Sequence, residues 1–165
     1  TAKLYFCDHS RIEPLPGWSE NLGLVVNPHN HLYAFQTYVI KGSVANLVYS
    51  RQTQDSCLSA TWHEHLYKSP VRGGEKRSVY AGPVTLYTQH YQYCLSGDGY
   101  EFDDEGIHSI SVAKNEPTVL FLLQYRSTNK AFTSLFTPTE EMPSLNGLYS
   151  PMTPKEVEAH LNQIF

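Results

Sequence analysis

Two histidines in this chain have the spacing needed to hold a metal ion, and a third is a candidate to join them. His29 and His31 lie two residues apart at the start of a predicted strand, so both imidazoles project from one face. His108, near the start of a second predicted strand, is the best candidate for a third ligand. Three neutral imidazoles leave positions open on a metal and leave its positive charge uncompensated, which favours an anionic substrate.

A second pair with the same spacing, His63 and His65, is the rival metal pair. It lies in residues 61–67, which could also form a strand, and it could converge with His108 or His90. The residues that follow it have the composition of a loop. We therefore expect His63 and His65 to be solvated or at the rim of a pocket.

Several other side chains are candidate neighbours of the metal or the substrate. Tyr33 and Phe35 share the face of His31 if the strand is regular, so they could line a cavity. The amide oxygen of Gln36 could bind a metal or a bound water, and Gln36 is equally compatible with the wall of a barrel. His90 fits a barrel wall better than a position behind the ligands.

Two arginines could recognise a carboxylate. Arg126 follows the last predicted core strand and Arg72 lies in a glycine-rich loop. A guanidinium binds a carboxylate through two parallel hydrogen bonds, but a solvated side chain is the ordinary state of either residue. No residue is assigned as catalytic, because no nucleophile with a local histidine signature is present.

The elements that must position these residues are strands. Alternating apolar and polar residues, bounded by Gly, Pro, Asn or Asp, predict at least eight of them. Turn signals at Lys41-Gly42 and at residues 96–99 predict hairpins, so an all-β sandwich or barrel is expected. The predicted strands are 23–26, 34–40, 44–49, 78–80, 84–87, 91–95, 108–112 and 119–125.

One helix is expected, at the C-terminal end of the sequence. Thr153 and Glu156 form a capping box around Pro154, and an apolar stripe follows it. Proline-rich residues 137–154 predict a long surface loop. We therefore expect a single domain over 1–165, with a core of about 20–136 followed by a loop and helix over 137–165.

Composition excludes several classes of protein. The 165 residues are 17% charged and 13% aromatic, which argues against disorder, and a net charge of -4 argues against a nucleic-acid partner. No apolar run approaches the ~18 residues of a membrane span, and no signal peptide is visible. Three irregularly spaced cysteines favour free thiols and a cytoplasmic location.

The segment GLVVNPHNHLYAFQTYVIKG, residues 23–42, resembles the first motif of the cupin superfamily. That motif has a glycine, five residues, His-x-His, four residues, usually Glu, and then a closing glycine. The spacing from Gly23 to His29 matches, Gln36 stands at the Glu position, and Gly42 comes one residue early. The segment GIHSISVAKNEPTVLFLLQY, residues 106–125, is similar to the second motif of thiol dioxygenases.

Departures from that pattern bear on the substrate. The cysteine dioxygenase branch carries Ser-x-His-x-Tyr where this chain has Leu120, Leu122 and Gln124. The crosslinking cysteine of some members is Gln36 here. The resemblance therefore implies a related diketone- or thiol-cleaving enzyme rather than one acting on cysteine itself.

The resemblance implies a cupin jelly-roll barrel with a short C-terminal helix, acting as a mononuclear non-haem oxygenase. Its metal would be held by His29, His31 and His108, with Fe(II) favoured and Zn, Ni, Mn or Cu as other divalent metals. Its partners would be dioxygen and a small organic substrate bearing a thiol or carboxylate, with a homodimer allowed. Two alternatives stay open: a non-oxidative cupin lyase or isomerase, and a non-catalytic cupin that binds a small ligand.

Overall fold

The chain is built almost entirely of β-strands. The computed structural model describes residues 1–7, 13–14, 22–24, 26–53, 58–68, 77–113, 116–127, 130–141 and 152–164. The strands are β1 (Ala2–Cys7), β2 (Glu13–Pro14), β3 (Leu22–Leu24), β4 (Tyr33–Lys41), β5 (Ser43–Ser50), β6 (Ser59–Lys68), β7 (Arg77–Leu95), β8 (Gly99–Phe102), β9 (Ile107–Ala113), β10 (Thr118–Ser127) and β11 (Thr133–Thr137), and one helix follows, α1 (Pro154–Ile164).

These strands form two antiparallel sheets. The first sheet has the order β1-β10-β4-β8, and the second has the order β11-β6-β7-β5-β9-β3-β2. The sheets curl into a half-barrel. The predicted fold class, mostly β with one short helix, is confirmed.

Both predicted hairpins are instead corners at which the chain changes sheet. β4 and β5, on either side of Gly42, pair with strands of different sheets, as do β7 and β8 around Gly97. Gly42 has a φ of 78°, and a Cβ there would lie 2.6 Å from the Pro117 carbonyl oxygen. Glycine is therefore needed at this corner both for its conformation and for the close approach of the next segment.

Three of the predicted strands are one continuous strand, the 19-residue β7. Its first half pairs with β6 and its second half with β5, so it lies between two strands that follow each other in sequence. Gly82 and Pro83, which look like a strand boundary, are accommodated by a register shift between Glu64 and His65 on β6. Such a bulge lets the ladder continue past residues that would otherwise end it.

Two apolar clusters form the core of this β structure. One joins β4, β5, β7, β8, β9 and β10, and the other lies within the larger sheet and includes Phe136 of β11. The first cluster comes closest to the predicted metal ligands because it contains Phe35. Its buried members are Phe35, Val39, Val44, Cys94, Tyr100, Val112, Leu120 and Leu122.

The C-terminal helix begins with the predicted capping box. The Glu156 carboxylate accepts hydrogen bonds from the Thr153 amide and hydroxyl at 2.7 Å each, and the Thr153 hydroxyl accepts one from the Glu156 amide. The helix contacts the smaller sheet through the ring of His160, whose centroid lies 5.2 Å from that of Phe6. Residues 142–151 of the predicted loop lie outside the described residues.

The sequence predicts free thiols and no membrane-spanning segment. Cys7 and Cys94 are both free thiols, and Cys57 lies outside the described residues. Within the described part of the chain, no helix has both the length and the apolar character needed to cross a membrane.

Candidate metal centre

The segment that carries His29 and His31 is fixed by main-chain hydrogen bonds on both of its sides. His29 exchanges two amide-carbonyl bonds with His108 of β9, each of 2.9 Å. On the other side, Asn30 donates to the Ser134 carbonyl of β11, and Phe136 donates to the Pro28 carbonyl. The segment thus bridges two strands of the larger sheet, which brings the first two histidines beside the third.

The three histidine rings meet at one point. His29, His31 and His108 each offer a ring nitrogen, and these nitrogens all lie within 4.8 Å of one another. The Nε2 atoms of His31 and His108 are 2.9 Å apart. Two nitrogen ligands about 2.1 Å from one metal ion lie roughly 3 Å apart, so this spacing suits a shared ion. Among the described residues, this is the only such group of three potential ligands.

The outer ring nitrogens of two histidines are already occupied by protein oxygens. His108 donates from Nδ1 to Asn46 Oδ1 at 2.6 Å, and His29 donates from Nδ1 to the Asn27 carbonyl at 2.9 Å. Each bond places the proton on Nδ1 and leaves the Nε2 lone pair for a ligand role. Oxygen partners of this kind accompany most metal-bound histidines.

Burial keeps all three imidazoles neutral. It lowers the pKa of His108 well below its usual value and lowers that of His29, where the Asn27 carbonyl opposes the effect only in part. Burial lowers the pKa of His31 to about 2, with smaller contributions from His29, Lys3 and Lys130. A neutral imidazole is the form that binds a metal, so the site needs no proton removed near neutral pH.

Aromatic rings form the wall around the histidines. The ring of Phe35 lies 4.7 Å from that of His31 and 5.4 Å from that of His108. Phe102 stacks on His108 at 4.3 Å, and Tyr33 contacts His31 at 5.1 Å. Tyr33 and Phe35 therefore lie where the strand alternation predicts, and Phe102 is an additional neighbour that sequence reasoning missed.

A buried polar chain supports the residue between the two ligands. The Ser134 amide donates to Asn30 Oδ1 at 2.7 Å, and the Ser134 hydroxyl donates to Glu64 at 2.6 Å. Arg51 forms a two-pronged ion pair with Glu64, whose carboxylate is 12% exposed. Hydrogen bonds from Arg51 and Ser134 lower the pKa of Glu64, and burial opposes them. The loop conformation at Asn30 is thereby tied to a charged anchor on β6.

The rival pair does not join a three-ligand group. His65 is buried and its Nε2 contacts the Thr137 hydroxyl at 3.0 Å, whereas His63 Nδ1 contacts the Tyr80 hydroxyl at 2.8 Å. The Tyr80 ring packs against both imidazoles. Within the residues that the structure describes, these two histidines have protein partners rather than a shared site with His108 or His90.

Other predicted contacts lie away from the histidines. Gln36 alternates with the inward Phe35 on β4, and its Oε1 accepts a hydrogen bond from Tyr125 at 3.3 Å. His90 and Arg126 are exposed, His90 on β7 and Arg126 on β10. Arg72 lies outside the described residues.

Sequence reasoning missed Asn46, the partner of His108. It lies on β5 directly opposite Ile110 of β9, and its side chain is 1% exposed. A buried amide within an apolar run, VANLVY, is the signal that could have pointed to it, because such a group needs a polar partner.

Replacing Asn46 tests this orientation directly. Asn46→Leu removes the oxygen that holds Nδ1 of His108, and we expect metal affinity to fall about 10- to 100-fold. Asn46→Asp keeps an acceptor oxygen and should keep an affinity close to that of the original protein. Isothermal titration with Co²⁺ measures both values. Equal affinities in the Leu and Asp variants would show that this hydrogen bond has no part in metal binding.

Comparison with known proteins and structures adds no relative to this description of the fold and site. No protein-family model, no curated protein and no solved structure matches this chain. Three neutral histidines, two of them oriented by oxygen partners, could bind a metal ion, and this donor set alone does not fix which metal.

Proposed function

We propose that this protein is a metal-dependent enzyme of the cupin type, an oxygenase that acts on a small organic substrate. The observation that carries the proposal is the convergence of His29, His31 and His108 within 4.8 Å inside a curled, mostly antiparallel β structure. The change of sheet at the corners around Gly42 and Gly97 is also typical of a jelly roll.

The residues present fit one divalent metal ion. The donors are three neutral nitrogens, which suit iron, zinc, nickel and copper, and two of the rings are held by oxygen partners. Ferrous iron is the metal we favour. When bound, it supplies the redox chemistry that an oxygenase requires. Three protein ligands would leave coordination positions open for substrate and dioxygen.

The chain itself supplies orientation and a dry wall. Phe35 and Phe102 pack against the ligand rings and give the site an apolar lining. The ligands lie on sheet residues and on a segment bridged to two strands, so their positions are fixed by the main chain. Such rigidity favours a site whose geometry exists before substrate arrives.

Metal content and oxygen uptake together test the proposal. The purified protein, loaded anaerobically with Fe²⁺, should hold one iron per chain by elemental analysis. Its ferrous form should bind nitric oxide with a new electronic absorption, and oxygen consumption should rise with a suitable small thiol or carboxylate.

Zinc-loaded protein is the control. Turnover of the same substrate with zinc and without oxygen uptake would replace the oxygenase with a lyase or isomerase. A protein that retains no metal under these conditions would overturn the enzyme proposal altogether.

A further inference from the structure

A lysine on the smaller sheet faces the interior beside the metal centre. Lys3 pairs with Leu122 of β10, and Leu122 pairs with Thr37 of β4. Directly paired residues of an antiparallel sheet project from the same face, and both Leu122 and Thr37 are buried. Lys3 is itself half-buried on this face, where Tyr5, two residues further along β1, packs against the core.

The ammonium group of Lys3 lies next to the wall of the site. Its Nζ is 5.6 Å from the centre of the Tyr33 ring, and that ring is 5.1 Å from the ring of His31. One aromatic side chain therefore contacts both the cation and a metal ligand. A cation over an aromatic face is attracted electrostatically by the ring, which helps to hold the ammonium group at this position.

Lys130, in contrast to Lys3, is paired with acidic side chains among the described residues. Lys130 Nζ is bonded to the Asp104 carbonyl, lies 3.2 Å from the Asp104 carboxylate and 2.8 Å from that of Glu105. No acidic group within the described part of the chain lies within 4 Å of Lys3. Lys3 therefore brings a positive charge to the interior face without a described carboxylate to balance it.

We propose that Lys3 binds a carboxylate of the substrate, whose other end carries the group that binds the metal. This inference rests on the proposed function, because it requires a metal held by His29, His31 and His108. A single ammonium matches the single charge of a carboxylate, whereas a phosphate would call for more donors. The sequence made Arg126 a candidate to bind a carboxylate, but Arg126 is exposed on β10. We therefore assign this contact to Lys3.

Three thiols of similar size and different charge test the inference on cobalt-loaded protein. A thiolate bound to Co²⁺ produces an absorption band, so each dissociation constant can be read by titration. The probes are 3-mercaptopropionate (anionic), 2-mercaptoethanol (neutral) and cysteamine (cationic). A charge-assisted hydrogen bond favours 3-mercaptopropionate over 2-mercaptoethanol by about ten-fold or more, and cysteamine should bind most weakly.

Substitutions at Lys3 test whether this residue causes the preference for the anionic thiol. Lys3→Met should weaken the binding of 3-mercaptopropionate by about ten-fold and leave the affinity for 2-mercaptoethanol unchanged, because only the charged contact is lost. Lys3→Arg should restore the preference. Lys155→Met, which removes an exposed lysine of α1, is the matched control and should change none of the three affinities.

The outcomes separate this inference from the proposed function. If the protein binds one cobalt ion per chain and the loaded protein binds the three thiols with equal affinity, the role of Lys3 is overturned and the metal site is retained. A preference that persists in Lys3→Met would do the same. Failure of the original protein to bind cobalt would overturn the proposed function, and the role of Lys3 with it.

Discussion

Replacing His31 or His108 with alanine is expected to abolish stoichiometric metal binding. Each change removes one of three nitrogens that lie within 4.8 Å of one another and leaves two ligands for the ion. The loss should exceed the about 10- to 100-fold effect of removing an outer hydrogen-bond partner. Elemental analysis after dialysis against Fe²⁺ or Co²⁺, with the folded state checked by circular dichroism, gives the measurement.

Two other histidines provide matched controls for this result. His63→Ala alters the rival pair, and His90→Ala alters an exposed residue of β7. Both variants should retain one metal ion per chain. Full occupancy in the His31 and His108 variants would overturn this metal site, and loss of metal in the His63 variant alone would move the site to β6.

The metal-free protein is expected to lose stability steeply in mild acid. Burial lowers the pKa of all three histidines in the folded state, whereas the unfolded chain has histidines with a pKa of about 6.5. Their contribution is complete above pH 6.5 and is lost as the pH falls, because only the unfolded chain takes up protons. Between pH 7.5 and 5.5 a histidine that stays neutral in the folded chain costs about 1.4 kcal/mol of stability, so His31 should cost about that much and His29 and His108 should add to the loss.

Chemical denaturation between pH 7.5 and 5.5 measures this loss. The double variant His31→Gln, His108→Gln removes two of the three histidines whose pKa burial lowers, so its stability should fall less steeply with pH than that of the original protein. The comparison uses the slope, so a lower stability of the variant at pH 7.5 does not affect it. A flat profile in the original protein would mean that the histidines are solvated.

Local patterns in the sequence predict several of the strands and the shared direction of two of the histidines. Alternation predicts β4, β5, β9 and β10 to within about two residues, and the His-x-His spacing predicts that the rings of His29 and His31 project toward one point. Each of these inferences depends on residues close together in sequence, where side-chain direction follows from strand periodicity.

Pairing between strands is what the sequence does not reveal. A glycine turn such as Gly42 has the same local signature whether the next strand pairs beside it or enters the other sheet. The partner of His108, Asn46, and the placement of Lys3 beside Tyr33 depend on contacts across 62 and 30 residues of chain. Such long-range neighbours are set by packing of the whole sheet rather than by local propensity.

The double bridge at His29 also bears on how a metal would enter. Its main chain is already bonded to β9 and, through Asn30 and Pro28, its segment to β11. Ordering a residue costs about 1–2 kcal/mol of conformational entropy. Because this segment is already ordered when the chain folds, metal binding does not have to order it. Metal capture and chain folding are then separate equilibria, unlike in a zinc finger, and a chelator should empty the site without unfolding the sheet.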